Sequence, residues 1–163
     1  IPGQTDNDLA NDIDFFKKID IDMLGMGPFV LHDNTPFAKR SLEYEKEKNN
    51  IYIKALKMIA LSRIALKDVN IAATTAFQAL SPTGKIDALS FGANVLMPQI
   101  TPRKYREDYL LYRGKPVDDI YSNFDLKAMT DILEKNGRKV AFNQWGDSKH
   151  FWKRKYSHQE KKC

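Results

Sequence analysis

The apolar positions of this chain alternate between two periods. "TDNDLANDIDFFKK" places Leu9, Ile13 and Phe16 at i, i+4 and i+7, which is one face of a helix. Thr5, followed three residues later by Asp8, forms a capping box with Asp in the place of Glu. An apolar stretch, "IDMLGMGPFVL", then predicts a strand over Asp22–Leu31, interrupted by Gly25, Gly27 and Pro28. Residues 32–48 are polar, contain Pro36 and read as a loop feeding a helix. The clearest helix is "NNIYIKALKMIALSRIALKD", with Ile51, Ala55, Met58, Ile59 and Ser62 on one side and Asn50, Lys54 and Lys57 on the other. A short strand, "NIAATTA", a turn, "SPTG", and a helix through "KIDALSFG" that ends at Gly92 come next. "ANVLMP" is the following strand, closed by Pro98. Beyond Thr101 the strand rhythm stops, and "RKYREDYLLY" and "FDLKAMTDILEKNG" both read as helices.

Helices that alternate with short, almost wholly apolar strands predict an α/β protein with a parallel sheet covered on both faces. Only three strands can be recognised, whereas a closed barrel of this kind needs about eight. A free-standing three-stranded sheet would leave two open edges.

Composition adds that the chain is an ordinary globular one, 42% hydrophobic and 29% charged over 163 residues, long enough for one real core. No apolar run approaches the roughly 20 residues of a membrane span. The opening "IPGQTDNDLA" lacks the layout of a secretory signal and an initiator methionine, so the chain reads as a processed product or a fragment. Cys163 is the single cysteine and the final residue, which excludes an internal disulfide and any cluster built from grouped cysteines, and suits an intracellular protein. The net charge of +5 is unevenly spread. Seven aspartates stand against Lys17 and Lys18 in residues 1–34, and eight Lys/Arg stand against Asp147 and Glu160 in residues 138–163. The basic end is expected to be a solvated, mobile tail; no base-reading fingerprint accompanies it, so no nucleic-acid partner is expected.

Ligands of parallel α/β sheets collect at the carboxyl ends of the strands. That rule selects Pro28 to His32, Thr74 and Thr75, Met97 and Pro98, and the tyrosines Tyr105, Tyr109 and Tyr112. The "GMG" of Gly25–Gly27 lies inside a strand and no third glycine follows at dinucleotide spacing, so it marks a bulge or the close approach of a ligand or another backbone. His32 has no second histidine at metal-ligand spacing; it is either a hydrogen-bonded loop residue or a functional contact. Thr74 and Thr75 are β-formers or ligand hydroxyls. Met23 and Met97 are core residues or thioethers beside a ligand. The tyrosines fall at i, i+4 and i+7, a stripe that packs in a core or lines a pocket mouth. No nucleophile–base arrangement can be assembled, so these residues define a polar strand-end site without naming a reaction.

Six stretches together carry a family resemblance: "IPGQT", "DMLGMGPFVLHDNTPFA", "LKMIALSRIAL", "NIAATTAFQAL", "GANVLMPQITPRKYREDYLLYRGK" and "NGRK…WGD". In this order they resemble the radical S-adenosylmethionine maturases of [FeFe] hydrogenase, the E-component family within the biotin synthase-like superfamily. The resemblance runs from Ile1 to about Phe151. It implies the C-terminal part, about strands six to eight, of a TIM-type (β/α)₈ barrel over residues 1–98, a barrel-closing helical segment over 99–152 and a basic tail over 153–163. It also implies reductive cleavage of S-adenosylmethionine at a [4Fe–4S] cluster. The family's CxxxCxxC cluster loop has no counterpart here, so the cluster ligands are expected outside this chain, and the chain alone is expected to hold no metal and to be inactive.

Carried over residue by residue, the resemblance makes Met23, Pro28, Met97 and Tyr109 neighbours of S-adenosylmethionine. Thr74, Thr75 and Tyr112 become walls of the substrate cavity, with Asn94 and His32 at its margins. None of them is expected to act as an acid or base, because the cofactor supplies the chemistry. The implied partners are a small organometallic iron precursor and the other hydrogenase maturases, with no membrane, in the cytoplasm or alternatively in a hydrogenosome or another anaerobic organelle. The alternatives are a related radical synthase of the biotin or methylornithine type, and a non-catalytic protein- or nucleic-acid-binding module. The strand "NIAATTA" lacks the cluster-ligating arginine of biotin synthases, which weighs against a sulfur-donating synthase.

Overall fold

A computed structural model describes residues 1–98, 100–109, 114 and 126–160. Helix α1 (Asp6–Lys18) opens with the expected capping box: the Thr5 hydroxyl accepts from the Asp8 amide at 3.2 Å and the Thr5 amide donates to Asp8 Oδ2 at 2.7 Å. The Thr5 hydroxyl, which also donates to Asp8 Oδ2 at 2.7 Å, and the Thr5 amide hold the Asp8 carboxyl below the usual carboxylate range. Strand β1 (Met23–Met26) is shorter than the pattern predicts. It stops before Pro28, which has no N–H to place in a ladder, and beside Thr74, where its neighbour leaves the sheet.

Helix α2 (Ser41–Leu66) begins eight residues before the helix read from the sequence. A 3₁₀ turn, Pro36–Arg40, leads into it, and buried Tyr44 packs edge-on against Phe29 with ring centroids 6.0 Å apart. The charged composition of "SLEYEKEK" hides that anchor. Strand β2 (Asn70–Ala73) follows, and α3 (Thr75–Leu80) starts directly from it, where "NIAATTA" reads as strand throughout. Next come α4 (Gly84–Ser90) and the two-residue β3 (Val95–Leu96). Gly92, at φ +122°, makes the turn out of α4 as expected.

Among the described residues the strands form one sheet in the order β1-β2-β3, parallel throughout. Met23 pairs with Asn70, Met26 with Ala73, and Ala73 with Leu96. The covering of the two faces is unequal. Leu24, Ile71 and Ala73 join a core with Leu56 and Ile59 of α2, Phe77 of α3 and Ala88 and Leu89 of α4, and Phe16 of α1 packs against its edge. The opposite face carries Met23, left 48% exposed, and Gly25, where an added Cβ would meet nothing within 4 Å.

Beyond β3 the expected helix over "RKYREDYLLY" is not continuous. Two 3₁₀ turns, Arg103–Tyr105 and Glu107–Tyr109, are divided by buried Arg106, whose guanidinium donates to the Thr101 carbonyl at 3.0 Å. Tyr105 and Tyr109 therefore share no helical stripe, and Tyr112 lies outside the described residues. Helix α5 (Leu126–Lys135) is as expected, and its end is capped by Gly137 at φ +68° with the Arg138 amide reaching Leu133 O at 2.8 Å.

The last element corrects the reading of a solvated basic tail. Helix α6 (Lys149–Glu160) is tied to the amino end of the sheet, across the expected boundary at 152/153. His150 Nδ1 lies 2.9 Å from Asp22 and its Nε2 3.0 Å from Asp20, Arg154 pairs with both aspartates, and Lys153 pairs with Asp68. The pairing with Lys153 draws the Asp68 carboxyl down. The acidic start and the basic end of the chain thus neutralise each other across the amino ends of β1 and β2.

Candidate functional site

The ladder sets the geometry of the carboxyl edge. Because Met26, Ala73 and Leu96 lie abreast, the residues that follow them, Gly27, Thr74 and Met97, form the next row. In that row Thr74 Oγ1 donates to the Met26 carbonyl at 3.2 Å, pinning β2 to β1. A Cβ on Gly27 would lie 2.3 Å from that oxygen, so only glycine permits the approach. Thr74 is also the N-cap of α3, in extended conformation, and its hydroxyl makes no cap bond because the strand has claimed it. Thr75 opens α3 and is half-buried; Pro28 is buried.

Met97 is 47% exposed, just past the end of β3. Met23 stands lower, abreast of Asn70 and four residues below Gly27, or about 13 Å along the strand. Both are exposed thioethers, separated in height along the sheet. His32 lies in the loop that leaves β1, where its Nδ1 accepts from the Asn34 amide at 3.0 Å and its carbonyl accepts from the Thr35 hydroxyl at 2.8 Å. Those are the bonds of an ordinary loop residue. Tyr109 closes a 3₁₀ turn.

Asn94 is at the other end. Its Oδ1 accepts from the Ile71 amide at 2.8 Å and from Arg63 at 2.9 Å, and its Nδ2 donates to Asn70 at 2.9 Å. Asn70 in turn donates to the Gly146 carbonyl at 2.7 Å. This amide chain closes the amino end of the sheet, apart from the carboxyl-edge row. Arg63 organises the same end: its guanidinium donates to the carbonyls of Gly92, Lys67 and Val69 at 2.9, 2.5 and 2.7 Å. Burial pulls its pKa down.

Neither Arg63, the Gly27–Thr74 contact nor the α6 ion pairs were visible in the residue pattern. Each links positions far apart in the chain, and only the glycine in a strand gave a signal. A cavity of about 350 Å³ flanks the outer edge of β1, lined among others by Gln4, Asp12, Phe16, Gly27, Pro28 and Met58. Among the described residues no group of three His, Cys, Asp or Glu could hold a metal ion, and no helix is long and apolar enough to cross a membrane.

Together these features define, among the described residues, an α/β protein whose small parallel sheet has a helix-packed face, an amino end tied by side chains, and exposed Met23, Gly25 and Met97 on the other face and at the carboxyl edge. No family model matches the chain. It is 42% identical over 149 residues, 91% of its length, to the [FeFe] hydrogenase maturase subunit HydE of Thermotoga maritima, and spans 40% of that protein's length. The motif resemblance is therefore borne out over that stretch, and the share spanned is consistent with a C-terminal portion of such a subunit.

Proposed function

We propose that the chain forms about strands six to eight of a TIM-type (β/α)₈ barrel in a radical S-adenosylmethionine enzyme that matures the di-iron H-cluster of [FeFe] hydrogenase. The identity with HydE carries this reading. The less covered face of the sheet supports it, since strands that line a barrel interior need small residues there, and Gly25 and Ala72 lie abreast on it. In such a barrel the carboxyl edge is the active end.

The residues present suit an adenosyl sulfonium. The half-exposed thioether of Met97 offers soft, polarisable surface beside the strand end that buried Pro28 shapes, while Met23, lower on the same sheet, would reach the ligand only along the strand. When bound, S-adenosylmethionine would supply a 5′-deoxyadenosyl radical. The [4Fe–4S] cluster does not fit here: the described residues offer no metal-binding group and Cys163 is the sole cysteine, so its ligands belong elsewhere. This chain's share is to position and to shield. Thr74, its proton held by Met26, can only accept from a ligand, which leaves Thr75 as the hydroxyl able to donate to an anionic substrate such as an organometallic iron precursor. Tyr109 and Tyr112 would complete the walls, and Asn94 would act on the site only through the sheet. The other hydrogenase maturases are the proposed partners.

The test uses a chimera of the Thermotoga maritima maturase in which this chain's 149 matched residues replace their counterparts. Met97→Asp in that chimera puts a carboxylate where the sulfonium's adenosyl group would pack, and weakens S-adenosylmethionine binding by calorimetry at least about tenfold. Unchanged affinity removes Met97 from the site.

A further inference from the structure

Helix α6 meets the sheet through a closed ring of two cationic and two acidic side chains. His150 and Arg154 stand four residues apart, so they share one face of α6. Asp20 and Asp22 face them from the connection between α1 and β1, where Asp20 takes φ +55°, a conformation that aspartate and asparagine tolerate better than most residues. Each carboxylate spans both partners. Asp22 Oδ1 lies 2.9 Å from His150 Nδ1, and its Oδ2 accepts from Arg154. Asp20 Oδ1 lies 3.0 Å from His150 Nε2, and its Oδ2 lies 3.4 Å from Arg154 Nη1. The backbone holds both sides in place: the Asp22 carbonyl accepts from the Asn70 amide at 2.9 Å, and the His150 amide donates to the Asp68 carbonyl at 3.1 Å. The imidazole is left 26% exposed between them.

Both ring nitrogens of His150 therefore face a carboxylate oxygen, and only the imidazolium can donate from both. A neutral ring turns a lone pair toward one carboxylate and leaves Arg154 alone against two negative charges. We propose that His150 is a proton-operated latch, which docks α6 on the amino end of the sheet when the imidazole is protonated and loosens it when the imidazole is neutral. The other charges at this end have partners of their own. Asp68 pairs with Lys153 and feels Lys149 and Arg63 without contact, and Arg63 is itself bound to the carbonyls of Gly92, Lys67 and Val69 and to Asn94. They stay charged while a histidine titrates, so the ring of four is where the balance changes. A docked state that needs the proton is firmest where the ring carries it and weakens as rising pH removes it. This inference is independent of the enzymatic reading.

Hydrogen–deuterium exchange of the 163-residue chain tests it, with protection in α6 referred to that of β2 in the same molecule. The two conditions are about pH 5.5 and about pH 8.5, either side of the ordinary histidine range. Relative protection of α6 falls at least about tenfold from the lower pH to the higher. His150→Gln, which cannot take a charge, shows the lower protection at both. Asp20→Asn offers the neutral ring an amide donor and suits the backbone at that position, so its α6 protection changes less with pH than the parent's. Equal relative protection at both pH values in the parent would overturn the assignment. So would an α6 already unprotected at the lower pH, or a pH dependence that persists in His150→Gln or stays undiminished in Asp20→Asn.

Discussion

Gly27→Ala tests the carboxyl edge most sharply. The new methyl would lie 2.3 Å from Thr74 Oγ1 and 3.3 Å from Ala76 Cβ, where ordinary contact begins at 3.4 Å. The hydroxyl must therefore withdraw by about 1 Å, and its 3.2 Å bond to the Met26 carbonyl is lost. Threonine is stiff at χ1, so its side chain cannot simply swing aside. Loss of that bond costs about 1 kcal/mol and the overpacking about 1–3 kcal/mol, against a gain of about 0.4–1 kcal/mol from a less flexible unfolded chain. The net loss is about 1–3.5 kcal/mol, or roughly 3–10 °C in Tm for a chain of this size. Urea titration of Gly27→Ala, Thr74→Ala and the double variant measures it. Thr74→Ala removes the obstructing oxygen, so the double variant is more stable than the sum of the singles predicts, by about 1 kcal/mol. Strict additivity, or a Gly27→Ala protein as stable as the parent, would refute the contact.

Tyr52 donates to Asp87 Oδ2 at 2.5 Å, and its burial together with that carboxylate pushes its pKa from 10.0 up to about 12. The folded state holds the proton that the unfolded state releases, so Tyr52's contribution is intact below pH 10 and declines as pH rises from 10 to 12. Tyr52→Phe should flatten that part of the pH–stability curve and cost about 1–2 kcal/mol at neutral pH; a curve of unchanged slope would count against the bond. Arg63→Lys should cost at least about 2 kcal/mol by denaturant titration, because one ammonium cannot reach the carbonyls of Gly92, Lys67 and Val69 and the Asn94 amide together; a neutral substitution would mean the fork is dispensable. Arg154→Ala should speed amide exchange in α6 while leaving β2 protected, and high salt should act in the same direction on these half-exposed pairs; exchange unaltered by either would deny the ion pairs their role.

Periodicity located α1, the middle of α2, α4, α5 and all three strands, because each has an apolar face that a single period describes. It failed where one element passes into another. "SLEYEKEK" is helical because Tyr44 alone reaches the interior, and one buried residue in eight makes no period. "ATTA" looks like a strand because its residues favour strands, yet the chain turns helical at Thr75 once the Thr74 hydroxyl is taken by β1. The basic end reads as a free tail because charge counts do not say which aspartates lie within reach; Asp20, Asp22 and Asp68 come together only after the sheet aligns its amino ends. The carboxyl-edge row was legible from the rule for parallel sheets, whereas Asn94, two residues from the same strand's end, belongs to the opposite edge by register.

We propose that these residues are a working part of an [FeFe] hydrogenase maturase. Hydrogenase maturation by the chimeric Thermotoga maritima protein, with its fold checked by circular dichroism, measures that claim directly. The chimera should yield active hydrogenase and lose that activity on Thr75→Val. A folded chimera that cleaves S-adenosylmethionine yet yields no active hydrogenase would contradict it.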